Sequence, residues 1–508
     1  MHKTRLFGMF LLLATTIACS TSDPAATDGA GPDDAGAASD TGTDSGPVQD
    51  DAGPGDAGWT QPFEPARCGA PAYAWLDPET MGTVLESVAV PEFSLDRESI
   101  NDLAAQQGFV GIEAKYGIKL HRYRYETQDR GQKVEATALL SIPDLEGGEA
   151  TLPYVLWLHG TSGWSDRCAA SRLLEWIMAA GLMGSQGWIG VAPDYIGLNG
   201  LGEPSTVKHP YMVGEATALA SWDAVRAAET VLKRVRSGIT PDNRVVVWGG
   251  SQGGHATLFA ERYAPHYAPG YEVVAALALV PPSNLLEDII VGLGNFSGGL
   301  SYRTAFTTSF ARWYGCADRL SEALQSVPPN DFANTIPETM DNECVLDLSE
   351  YNVTKTSDVF TQPFIDAFLG RNWAGFEHWQ CMFVENSIEL TSVPRKSATP
   401  VLWVLAENDE LVSTPLERQM YSDLCAAGYS MNHLECKGAG HSDGPMGSLK
   451  EQIAWVGDRF AKKPLENPCA VTEPVCCSGA KNEACPHLRN TSGFPRFPAP
   501  AAAAAVGS

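Results

Sequence analysis

Residues 245–255 read VVVWGGSQGGH: four apolar residues run into two glycine pairs that enclose Ser251 and Gln252. The RVVVW run is apolar and β-branched, the pattern of a strand buried on both faces of a parallel sheet. HATLFAERYA follows, with Leu258, Phe259 and Arg262 at helical spacing. The turn between strand and helix must therefore be abrupt. A serine at its apex would sit in a strained conformation, and its neighbours must be small where backbone and side chains crowd. Gly249, Ser251 and Gly253 form G-x-S-x-G in the strand–turn–helix setting that gives this pattern its meaning, a nucleophile elbow. The competing reading is a glycine-rich loop with an ordinary serine.

A serine hydroxyl needs a base, and the base needs an orienting acid. In proteins with this elbow the acid and then the histidine follow the serine in the chain. Five histidines downstream are poorly placed. His255 is one turn along the elbow helix, and His266 lies in a PHYAPGY loop. His378 sits in an aromatic stretch, His433 in a strand-like one, and His487 in a Cys-rich tail. His441 remains, in the small-residue loop KGAGHSD before an amphipathic helix. The strand-like PVLWVL supplies the acid at its end, where Glu407, Asn408, Asp409 and Glu410 follow. Asp409 is the expected acid and Glu407 the fallback. Two backbone N–H groups should face the developing oxyanion. One is expected from Gln252, after the serine. The other is expected from Thr161, in the HGTSG loop that follows the strand PYVLWL.

Several ordered segments then resemble one family: HGTSGWSDRCAAS, GWIGVAPDYIGLNG, HPYMVGEATALASWDAVRAAE, the elbow, ENDELV and GAGHSD. Over roughly residues 70–465 the chain resembles the secretory lipases, the lipase A-like branch of the α/β-hydrolases. The resemblance implies esterase or lipase activity, with nucleophile, acid and base on Ser251, Asp409 and His441. One departure is Cys168-Ala169-Ala170-Ser171, where the family commonly has Cys-Ala-Pro-Ser. The family's cap regions vary, so substrate does not carry over with these residues.

Strand and helix patterns alternate along the chain. A starting hairpin is expected at 118–125 and 134–142, then strands at 154–158, 188–193, 245–248 and 273–280. Helices are expected at 172–183 and 215–234. This is a doubly wound, mostly parallel α/β sheet with helices on both faces. The catalytic domain is expected to span 59–465, with a helical cap insert at 282–398. That insert is rich in aromatic residues. Trp373, Phe376 and Trp379 could face the serine as an acyl pocket, or pack on the body as apolar helix faces commonly do.

The first residues, MHKTRLFGMFLLLATTIAC, read as a secretory signal: basic residues, a short apolar run, small residues, then Cys19. The end resembles a bacterial lipobox. If processed as one, Cys19 becomes an acylated membrane tether; otherwise the protein is cleaved nearby and freely secreted. Residues 20–58 contain nine aspartates and no Lys or Arg, and cannot bury a core. This stretch is expected to be an extended spacer. It lacks calcium-loop spacing. The net charge of -26 suits an extracellular surface and argues against nucleic-acid partners. Twelve cysteines fit an oxidising compartment. Plausible pairs are Cys68–Cys168, Cys316–Cys344 and Cys425–Cys436. The count left after Cys19 is odd, so either one thiol stays free or Cys19 itself pairs. The tail, 466–508, matches no zinc template.

The expected reaction is carboxylic-ester hydrolysis through an acyl-enzyme on lipid-like or generic esters. It calls for no metal or organic cofactor, in a chain expected to be monomeric. A peptidase, an acetyl or feruloyl esterase on polysaccharide, or an acyltransferase would use the same residues. A surface binding protein on the same scaffold would not.

Overall fold

A computed structural model of the chain describes residues 59–106, 112–235, 238–296, 298–479 and 482–486. The expected signal segment with Cys19, the spacer 20–58, and His487 with the rest of the tail lie outside the described residues.

Nine strands form one sheet. In chain order they are β1 Val84–Ala89, β2 Gly117–Asp129, β3 Gln132–Asp144, β4 Ala150–Leu158, β5 Ile189–Pro193, β6 Ile239–Gly250, β7 Glu272–Leu279, β8 Val401–Ala406 and β9 Met431–Cys436. Across the sheet they run β1-β2-β3-β5-β4-β6-β7-β8-β9. The first three and β5 pair antiparallel, and from β5 onward every pairing is parallel. The hairpin expected at 118–142 is present and longer at both ends. The edge strand β1 gave no signal in the sequence reading, because VLESVA alternates poorly and is half exposed.

The valine run of β6 explains why the sheet needs cover on both sides. Val245 and Val247 join the large core on one face; Val246 and Trp248 join a second core on the other. β4 divides the same way, with Tyr154, Leu156 and Leu158 in the first core and Val155 in the second. A strand apolar at every position is stable only with both faces buried. Helix Gly214–Val235 and the elbow helix Gln252–Tyr267 cover the larger core, and Trp222 Nε1 donates to the Ala260 carbonyl between them (2.9 Å). Helix Leu449–Phe460 helps cover the other face, where Gln452 Oε1 accepts from Trp248 Nε1 (2.9 Å).

Between β7 and β8 the chain is mainly helical, including Leu285–Gly294, Leu300–Trp313, Phe332–Asn342, Gln362–Leu369 and Glu377–Glu385. Two disulfides tie this stretch to the body, Cys68–Cys381 and Cys168–Cys344. Three more hold the C-terminal stretch: Cys425–Cys469, Cys436–Cys477 and Cys476–Cys485. These replace the three pairs expected from sequence. Cys425 and Cys436 stand at opposite ends of β9. Cys469, the partner of Cys425, donates its N–H to Met431 at the start of that strand (2.7 Å), whereas Cys436 closes it. Five residues of strand separate the two ends by about 16 Å, far beyond a disulfide's reach. Cys68 and Cys168 each find a partner on the helical stretch instead of each other. Cys316 is disulfide-bonded, but not to Cys344, and no described cysteine is free.

Candidate active site

The turn expected at the end of β6 is strained as anticipated. Ser251 has φ 57° and ψ -121°, and caps helix Gln252–Tyr267. A non-glycine residue holds such a conformation only where its surroundings enforce it. The glycines show how tight those surroundings are. A Cβ on Gly253 would stand 1.9 Å from the Leu158 carbonyl oxygen, and one on Gly249 would stand 2.4 Å from the Gly253 carbonyl oxygen. On Gly254 it would meet the Leu279 carbonyl oxygen at 2.7 Å, while on Gly250 its nearest neighbour is 3.7 Å away. Three of the four glycines therefore exist because β4, β7 and the elbow backbone leave no space for a side chain.

The elbow brings Ser251 to His441. Ser251 Oγ is 2.9 Å from His441 Nε2, and His441 Nδ1 is 2.8 and 2.9 Å from the Asp409 carboxylate oxygens. A carboxylate only accepts, so Nδ1 carries its proton toward Asp409 and Nε2 is left to accept from the serine hydroxyl. Asp409 is itself fixed: its Oδ1 accepts the Leu411 and Val412 N–H groups, both at 2.9 Å. The loops after β8 and β9 are also joined to each other. Asn408 N donates to the Ala439 carbonyl (2.8 Å), Gly438 N to Glu407 Oε2 (2.6 Å), and His441 N to Glu410 Oε2 (3.0 Å). Glu407, the fallback acid, thus faces Gly438 while Asp409 faces the imidazole. The other described histidines downstream of Ser251 lie elsewhere: His255 contacts the Asn386 carbonyl, His266 the Pro394 carbonyl, His433 Thr472, and His378 Glu322.

Thr161 and Gln252, the two expected oxyanion donors, line one cavity with Ser251 and His441. Its volume is about 200 Å³. A Cβ on Gly160 would stand 3.6 Å from that of Ser251, so the loop after β4 passes directly beside the serine. Gln252 opens its helix, where N–H groups have no carbonyl a turn earlier to bond. Among the described residues no acceptor takes the Thr161 N–H. Trp373, Phe376 and Trp379 do not line this cavity. Trp379 is fully buried against Phe364, Trp373 packs on Phe368 and Phe376 on Phe364. The aromatic residues that do line it are Trp176, Tyr211, Tyr302 and Phe306.

Supporting residues appear that the sequence reading missed. His159 stacks on Tyr195 (4.2 Å between ring centroids), and its own carbonyl accepts from Tyr195 Oη at 2.9 Å. His209 Nδ1 donates to the Ile196 carbonyl (2.8 Å), which leaves Nε2 to accept from Gln252 Nε2 (3.1 Å). Burial holds His159 down to about 4 and His209 down to about 3, so both are neutral fixtures at ordinary pH. Asp288 and Arg303 form a buried pair in the cavity wall, 2.8 Å apart. HPYMVGE was visible as a motif, but nothing in its spacing told which ring would reach which loop.

A sheet of this order with a strained serine at the end of its central strand, a histidine loop after the last strand and an acid after the one before defines an α/β-hydrolase. Residues 170–467 match the secretory lipase family, and the chain belongs to that family. Among relatives, it is 23% identical over 299 residues to Lipase 6 of Candida albicans, spanning 56% of this chain and only 58% of that lipase. It is 24% identical over 363 residues to a probable inactive lipase of Mycobacterium tuberculosis, spanning 68% of this chain and 73% of that one. The crystal structure of the rice cell wall degrading esterase LipA from Xanthomonas oryzae superposes with a TM-score of 0.62 at 20% identity, over 76% of this chain and all (100%) of that one. Candida antarctica lipase A gives 0.56 at 18% identity, over 78% and 85%. These structural likenesses speak to the fold.

Behind the site, Glu417 is fully buried, and burial pushes its carboxyl up to about 8. Its Oε2 accepts from Ser283 Oγ (2.6 Å) and its Oε1 from Ser283 N (3.1 Å). The folded state keeps a proton that the unfolded chain releases near the ordinary glutamate value, so this group's contribution to stability is lost as pH rises toward 8. Glu417→Gln removes the titration and keeps the shape. Urea midpoints at pH 5 and pH 8 should therefore differ less for this variant than for the wild type.

Proposed function

We propose that the chain is a serine carboxylic-ester hydrolase. The observation that carries this reading is the continuous relay from Ser251 through His441 to Asp409, each step at 2.8–2.9 Å, opening on a cavity. Ser251 Oγ attacks the ester carbonyl carbon as His441 Nε2 takes its proton, and the N–H groups of Thr161 and Gln252 hold the oxyanion. The carbonyl–alcohol bond then breaks, and His441 gives the proton to the departing alcohol. Water attacks the acyl-enzyme with His441 again as base. This releases the acid and restores the serine hydroxyl. Asp409 keeps the imidazole in the required tautomer and steadies its positive form.

A binding protein on this scaffold would have no need of an activated serine. A relative of this chain is named as a probable inactive lipase, which makes that reading worth testing directly. Ser251→Ala should lose roughly 10³-fold or more in kcat/KM on p-nitrophenyl esters. A fluorophosphonate should label the wild type and leave the variant unlabelled. An unlabelled wild type would establish the binding-protein reading, and an active variant would remove Ser251 from the mechanism.

The substrate is proposed to be a lipid-like or generic carboxylic ester, with the helical segment 282–398 acting as a cap on a catalytic domain of 59–465. Two observations favour short acyl groups while the cap is in the form seen here. The cavity, about 200 Å³, is smaller than the roughly 300–1,000 Å³ that buries a drug-sized ligand, and the Asp288–Arg303 pair makes part of its wall charged. A long alkyl chain would have to pass the charged part of that wall. A series from acetyl to palmitoyl esters, with and without an oil interface, should peak at the short end. A rise toward palmitoyl at the interface would instead show that the cap opens for lipids.

The proposed site of action is outside the cytoplasm, with Cys19 as the acylated tether. Among the described residues no helix is long and apolar enough to cross a membrane. Cys19→Ala should release the protein from the membrane fraction or block its processing, and unchanged membrane association would exclude the tether.

A further inference from the structure

The cavity holds a pair of hydroxyls that the mechanism above does not use. Thr161 Oγ1 and Tyr211 Oη lie 2.7 Å apart, and both residues line the cavity beside Ser251. Each oxygen makes this one hydrogen bond among the described residues. Two hydroxyls own two protons, and one bond between them uses only one. The other proton has no acceptor among the described residues. Thr161 is half-buried, and its side chain stands at the space a substrate would enter, where a donor without a protein partner can meet an incoming acceptor.

Chemistry decides which proton is spare. A phenol is a far stronger acid than an aliphatic alcohol, so Tyr211 is the better donor of the two. Burial raises Tyr211 further above the ordinary range, which keeps it protonated. Tyr211 therefore donates to Thr161 Oγ1, and the threonine proton is left to point into the cavity. Donating to an oxygen strengthens that oxygen's own O–H as a donor. Tyr211 is in turn held by rings, with Trp164 edge-on and His209 each 6.0 Å away.

We propose that the Thr161 side-chain hydroxyl is a third donor to the oxyanion, polarised and aimed by Tyr211. The inference rests on the ester-hydrolase reading and on the Thr161 N–H as oxyanion donor. It adds that the same residue contributes twice, once from its backbone and once from its side chain. Such a hydroxyl bonds the full charge of the tetrahedral intermediate more strongly than the neutral carbonyl, so its effect belongs in kcat.

The test compares wild type, Thr161→Val, Thr161→Ser, Tyr211→Phe, the Thr161→Val/Tyr211→Phe double variant and Ser251→Ala on p-nitrophenyl acetate. Thr161→Val keeps shape and backbone and removes the hydroxyl. It should lose about 10²-fold in kcat with KM nearly unchanged, as expected for one oxyanion donor. Thr161→Ser should recover most of that. Tyr211→Phe should lose less than Thr161→Val, and the double variant should be no slower than Thr161→Val alone, because Tyr211 acts only through the threonine. A trifluoromethyl ketone, which forms the tetrahedral adduct, should bind Thr161→Val weaker by the same factor. Activity of Thr161→Val within threefold of wild type, a loss confined to KM, or additive losses in the double variant would overturn the inference while leaving an inactive Ser251→Ala, and the hydrolase reading, intact. Turnover by Ser251→Ala would overturn both. If Thr161→Val fails to fold, Tyr211→Phe decides: unchanged kcat and ketone affinity overturn the inference.

Discussion

At the end of β6 three backbones come too close together to admit a Cβ at Gly249, Gly253 or Gly254, and the site is built on that contact. The carbonyls of Leu158 and Gly253 sit where side chains on Gly253 and Gly249 would otherwise stand. This closeness forces the turn, and the turn lifts Ser251 out of the sheet at a φ no free serine would choose. It also places the loop after β4 beside that serine, so hydroxyl and backbone donors share one small volume. Had the sheet been looser, the serine would relax and the donors would drift from it.

Burial then sets the charge states around the contact. His159 and His209 are kept neutral by desolvation and serve as fixed dipoles between loops. Glu417 is held in its acid form by the same effect. Ionisable groups in the wall are paired, as in Asp288–Arg303, and the Asp409 carboxylate is surrounded by backbone N–H groups and the imidazole.

Much of this could be read in the sequence, for local reasons. The valine run, the glycine pairs and the small-residue histidine loop each carry their geometry within ten residues. Their order along the chain fixed which histidine and which acid belong with Ser251. What escaped was what depends on distant elements meeting. The aromatic run 373–379 left a pocket and packing on the body both open; Trp379 is buried against Phe364, while Trp373 and Phe376 pack half-buried on Phe368 and Phe364. Tyr302 and Phe306, on a helix with no distinctive spacing, take the cavity wall instead. Disulfide partners were equally out of reach, since proximity along the chain placed Cys425 with Cys436 and the length of β9 separates them.

The strand that leads to His441 is anchored from outside itself. Cys436 ends β9 and is bonded to Cys477; Lys437 and Glu435 exchange backbone hydrogen bonds with Val475, and Asn482 holds the Lys437 carbonyl. All of these partners are synthesised after the histidine they brace. A chain emerging from a ribosome thus carries Ser251, Asp409 and His441 before the brace on the His441 loop can exist. The brace also requires an oxidant to close. The loop that bears His441 is therefore fully tied down only once Cys477 has been made and joined to Cys436.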